Sequence, residues 1–149
     1  MIQRKQTVFL LLALAVIIVC LCLPLGAIEP KGMGASALFY NVGLYVNGGY
    51  QIHPVLFVDL VIVGALTLVC IPLFKKRKMQ MRICVANILL TLVWYGYYAF
   101  SVLHAFQGMG TFHPLFAGCL PLVALILFVL AYRGIKADEE LVRSMDRIR

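Results

Sequence analysis

Asp59, His53, His104 and His113 are the side chains of this 149-residue sequence best suited to holding a metal ion or passing a proton. Two of the three histidines stand directly before proline, in Gln51-Ile52-His53-Pro54 and Thr111-Phe112-His113-Pro114, each at the head of an apolar run. Three imidazoles and a carboxylate can satisfy zinc, and an acidic group inside an apolar span is a functional candidate by default. Against a site, no two histidines have the i, i+3 or i+4 spacing that preorganises a pair on one helix. Proline is favoured at the first helical position, where its missing N–H costs nothing. Both His-Pro pairs are therefore read mainly as helix starts. Asp59, roughly 7 Å further along a helix from Pro54, is read as a carboxylate near a helix N-terminus with a Tyr or His donating to it. No bound metal and no cofactor are expected. An Asp59–histidine cluster that handles protons or ions is the competing reading.

Other chemistry is thin. There is no glycine-rich phosphate loop, nucleophile elbow, carboxylate cluster or His-Glu-x-x-His, so the chain does not read as an enzyme. Cys20, Cys22, Cys70, Cys84 and Cys119 all fall in apolar runs, which argues against an extracytoplasmic disulfide framework. Cys20 and Cys22 face nearly opposite ways on a helix, whereas Cys22 and Cys119 lie at similar depth, where a bridge is conceivable.

The elements that carry these residues follow from composition. The chain is 63% hydrophobic and 13% charged, against about half and about a quarter for soluble domains. Four runs hold the excess: Thr7 to Leu25, Val55 to Phe74, Ile83 to Leu103 and Leu115 to Tyr132, of 19, 20, 21 and 18 residues. About 20 helical residues cross a bilayer core, and backbone in lipid must satisfy its own hydrogen bonds. The expected fold is an all-α membrane protein, with four transmembrane helices in two antiparallel hairpins and a short amphipathic C-terminal cytoplasmic helix. The first run is too long for a signal core and lacks a small-residue cleavage site, so it is expected to be retained. Pro72 and Pro121 are expected to kink the second and fourth helices.

Polar residues inside the spans should face other helices, because lipid offers them nothing. In the third run Asn87, Thr91, Trp94, Tyr98 and Ser101 recur at spacings of 4, 3, 4 and 3, one helical face. In the second, Asp59, Val63, Leu66 and Cys70 share a face. The first run shows no stripe and is expected to form a lipid-facing wall. The outer loop from Ala27 to His53 is glycine-rich, and Leu44-Tyr45-Val46, Asn47-Gly48, Gly49-Tyr50-Gln51-Ile52 reads as a hairpin. The tyrosines of that loop suit a membrane interface.

The net charge of +7 is mostly topology. Of the 13 basic residues, 12 lie before the first run, between the second and third, or after the fourth; Lys31 is the exception. The positive-inside rule then places both termini and the middle loop in the cytoplasm, and nucleic acid is not an expected partner. Lys75, Lys76, Arg77, Lys78 and Arg82 can meet anionic lipid head groups. In the charged tail, residues 133–149, Leu141, Met145 and Ile148 make a narrow apolar stripe for docking on a protein partner or the bilayer.

Leu73-Phe74-Lys75-Lys76-Arg77-Lys78-Met79-Gln80-Met81-Arg82-Ile83-Cys84, with Asn87 just beyond, resembles the central loop of a bacterial family of four-helix inner-membrane proteins, domain of unknown function 4293. The opening Met1 to Thr7 and the ending Asp138 to Arg149 are similar too, so the resemblance covers nearly the whole chain. It implies a location in the bacterial inner membrane and carries over no activity and no functional residue. The functional expectation is an accessory or scaffolding subunit of a membrane complex, or a homo-oligomer; a small permease or ion pathway using Asp59 and the outer histidines is the alternative.

Overall fold

Pro24 falls just past the last residue of the first helix, Cys22, so the helix stops short of Leu25 and the chain enters a strand at Gly26. The computed structural model describes residues 3–30, 32, 34, 36–105 and 110–146. In chain order the elements are α1 (Gln3–Cys22), β1 (Gly26–Glu29), β2 (Ala37–Phe39), β3 (Gly43–Val46), β4 (Gly49–Ile52), α2 (Val55–Cys70), α3 (Arg77–Phe100), β5 (Thr111–Pro114) and α4 (Leu120–Asp146). Single 3-10 turns at Pro72–Lys75 and Phe116–Cys119 and a π turn at Ser101–Ala105 complete them.

The fold is therefore mixed, which corrects the all-α expectation. The five strands form one antiparallel sheet in the order β4-β3-β2-β1-β5. The expected hairpin is present as β3–β4, with Tyr45 opposite Tyr50 and Val46 opposite Gly49. Asn47 and Gly48 turn the chain with φ of 50° and 79°, both positive as a tight two-residue hairpin requires. At Gly43, φ is 153° and a Cβ would stand 2.1 Å from the carbonyl oxygen of Gln51, so no side chain fits there. Beyond the hairpin, strands of three and four residues offer too few alternations to be read by period. Their buried positions nonetheless alternate: Gly26 and Ile28 on β1, Ala37 and Phe39 on β2. Leu25 N–H donates to Phe39 (2.6 Å) and Leu115 N–H to Leu25 (3.0 Å), so the sheet is stitched to the ends of the helices.

The helices close a ring: each packs on its chain neighbours, and α1 packs on α4. The side chains that meet across α2–α3 and across α1–α4 run in opposite order along the two helices, so both pairs are antiparallel. α1 buries Gln6, Leu10, Ala13, Ile17 and Cys20, a stripe at spacings of 4, 3, 4 and 3. It is thus a full member of the core rather than a peripheral wall; its uniformly apolar sequence hid which face turns inward. α4 contributes Ala124, Phe128, Ala131 and Ile135. α2 is rotated from its expected orientation. It buries Leu56, Leu60, Val63, Gly64, Thr67 and Cys70, leaving Asp59 and Leu66 half-buried at the flank.

The four expected spans are also corrected. Among the described residues two helical stretches are long and apolar enough to cross a membrane, Arg77–His104 and Phe116–Met145. The apolar parts of the others, Gln6–Cys22 and Val55–Cys70, are shorter. Pro24 follows the end of α1, and Pro72 opens a separate 3-10 turn instead of kinking α2. Pro121 is the second residue of α4, where a proline costs no hydrogen bond. α3 begins at Arg77 rather than Ile83, and α4 runs unbroken to Asp146, so the tail is not a separate helix.

Candidate functional site

The histidines and Asp59 do not converge. His53 follows β4 and is exposed. His104 is exposed and lies against Phe100, ring centroids 5.0 Å apart. His113 sits on β5 with Nε2 3.6 Å from the Glu29 carboxylate, both side chains in solvent. Among the described residues no three His, Cys, Asp or Glu side chains gather as metal ligands. Only the first His-Pro pair starts a helix: Pro54 caps α2 and its carbonyl accepts the N–H of Val58 at 2.8 Å. Pro114 instead ends β5, paired opposite Gly26. The donor expected for Asp59 is not there either; its Oδ2 is buried without a hydrogen-bond partner.

What the fold does assemble is a polar seam through the bundle. α3 supplies Gln80, Cys84, Asn87, Thr91 and Trp94, all buried, with Ser101 buried at the start of the π turn and Tyr98 half-buried. The expected stripe thus continues at 4, 3 spacing down to Gln80, inside the basic segment that precedes the third apolar run. Asn87 Nδ2 donates to Thr67 Oγ1 at 3.0 Å across α2–α3. Thr67 and Thr91 each donate one turn back, to Val63 and Asn87 carbonyls, both at 2.7 Å. One turn further, Gln80 Nε2 donates to the Cys70 carbonyl at 3.3 Å, and the Cys70 and Cys84 sulfurs stand 3.9 Å apart. At the far end Gln6 Nε2 donates to Asp138 Oδ2 at 2.6 Å, joining α1 to α4.

Under the sheet the seam ends on Asn41, from the turn between β2 and β3. This side chain is fully buried. Its Nδ2 donates to the Cys20 carbonyl at 2.7 Å, and its Oδ1 accepts the Trp94 indole N–H at 3.3 Å. Trp94 stacks on Tyr98 (5.2 Å, 8°), which stacks on Phe39 of β2 (6.3 Å, 21°). Tyr95 donates to the Gly118 carbonyl at 2.9 Å. Nothing local marks Asn41 as buried, since it sits among turn residues where asparagine is ordinary. Two polar atoms of the seam, Asn87 Oδ1 and Tyr98 Oη, are buried and unpaired.

The remaining candidates lie on the surface. Cys22 and Cys119 are free and exposed, so the conceivable bridge does not form. Lys76, Lys78 and Arg82 are exposed and Arg77 half-buried around the start of α3; the Lys75 side chain lies outside the described residues. Leu141 and Met145 are exposed and undocked on α4, and Ile148 lies outside the described residues. Chemically the seam offers amides, hydroxyls and thiols satisfied largely by one another. Such groups hold helices in register, and among them no nucleophile is paired with a base. No curated protein matches the sequence. The family model of a domain of unknown function, DUF4293, matches residues 2–148, and over that near-complete length the chain belongs to the DUF4293 family.

Proposed function

We propose that this protein is an accessory subunit embedded in the bacterial inner membrane, where it holds a larger complex together. The observation that carries the reading is its apolar outer surface. Leu11 and Ile18 on α1, Val58 and Leu68 on α2, Leu89 and Val93 on α3 and Ile126 on α4 are all about half exposed or more, while Asn87 and Thr67 bond each other inside an otherwise apolar core. Apolar patches of this extent need lipid or a partner around them. α3 and α4 are long enough to cross, with the sheet at one end of the bundle. By the positive-inside rule, the basic residues before α1, around the start of α3 and from Arg133 onward support a cytoplasmic placement of both termini.

An ion pathway fits less well, because Trp94 under the sheet and Phe128 on α4 pack the interior with no exposed surface of their own. Surfaces for a partner are at hand: the exposed β4 edge with Tyr50 and Ile52, and Leu141 with Met145 on the tail. The test is affinity purification of the tagged chain in mild detergent. A stable larger assembly is expected, with its recovery reduced when Leu141 and Met145 are both changed to Ser at unchanged abundance. Recovery of a self-oligomer alone would overturn the proposal and favour the pathway.

A further inference from the structure

We propose that the cleft between the first turns of α3 and the facing part of α4 binds one anionic phospholipid, its phosphate on Lys78 and Arg82. This assignment rests on the membrane reading given above. The cleft has a volume of about 480 Å³ and is lined by Lys78, Met81, Arg82, Val85 and Tyr132. Lys78 and Arg82 are one turn apart on the same face, where like charges repel. Among the described residues neither has a carboxylate partner. An anion between them removes that repulsion and takes charge-assisted hydrogen bonds from the ammonium and the guanidinium. Tyr132 lines the cleft from α4; a tyrosine hydroxyl can donate to the same anion, and its amphipathic ring suits a membrane interface.

The rest of the face says which anion. Continuing from Lys78 and Arg82 at the same 4, 3 spacing come Val85, Leu89 and Leu92, all exposed. The surface therefore runs from two cations to an apolar strip along the helix axis. That is the order of a phospholipid, head group then acyl chain. A free phosphate would use only the upper half.

The test uses the full chain purified in a neutral detergent, with lipid binding read by native mass spectrometry. Phosphatidylglycerol and phosphatidylcholine of identical acyl chains are compared, with glycerol 3-phosphate as a soluble competitor. At roughly five-fold per cation, the two cations should favour phosphatidylglycerol by on the order of twenty-fold. K78Q/R82Q should lose the preference, K76Q/R77Q should keep most of it, and glycerol 3-phosphate should not displace the lipid. Equal binding of the two lipids, a preference that survives in K78Q/R82Q, or displacement by glycerol 3-phosphate would each overturn the site. Thermal unfolding of both double variants checks that they are folded; should K78Q/R82Q unfold, K78Q and R82Q singly must each lower the preference several-fold, and failure to do so overturns the site. Membrane fractionation separates the two ideas. A chain that stays with the membrane but shows no lipid preference overturns the site alone, whereas one that is soluble without detergent overturns the membrane reading and the site with it.

Discussion

The indole N–H of Trp94 donates to the side-chain oxygen of Asn41 at 3.3 Å, joining the last third of α3 to a turn of the sheet 53 residues earlier. The same asparagine holds the end of α1 through the Cys20 carbonyl. One buried amide thus ties sheet, α1 and α3 together. Asn41→Leu should cost about 1–3 kcal/mol, since it leaves buried donors and acceptors without partners. Gln51→Ala, an exposed change on the same sheet, should fall within about 0.5 kcal/mol. Reversible unfolding in mixed micelles measures both. Equal, small effects would mean that Asn41 is not the tie.

The Asn87–Thr67 bond should appear as coupling between α2 and α3. A double-mutant cycle of Asn87→Ala and Thr67→Val should give about 0.6–2 kcal/mol. Strict additivity would show that the two side chains act independently, and that the seam is a set of local bonds.

Asp59 carries a buried oxygen with no partner, so its removal relieves a desolvated group. Asp59→Asn and Asp59→Leu should be neutral or stabilising, by up to about 1–3 kcal/mol. This reverses what a hydrogen-bonded carboxylate would show, where the leucine change would be the costly one. Loss of cellular function at normal abundance in Asp59→Asn would revive the proton-handling reading.

Orientation is tested with reporters. One fused after Arg149 should be active only in the cytoplasm, and one inserted at Asn47-Gly48 only on the opposite side. Activity of the C-terminal fusion outside would sink the arrangement derived from the basic residues.

Several features of this protein were open to the sequence because they are local and high in contrast. Asn87, Thr91, Trp94 and Ser101 stand out against apolar neighbours, so the inward face of α3 is visible from spacing alone. Asn47-Gly48 demands a turn whatever surrounds it. The tertiary structure decided what depends on contrast the sequence lacks or on distant pairing. α1 is apolar all round, so only packing shows that Leu10, Ala13 and Ile17 turn inward. α2 is likewise too uniform to reveal that Thr67, and not Asp59, faces α3. The sheet needed β5, whose partner β1 lies some eighty residues earlier, and strands this short gain stability only once such non-local pairing is made. Asn41 has no signature of its own; its burial is set by the helices and strands that meet around it.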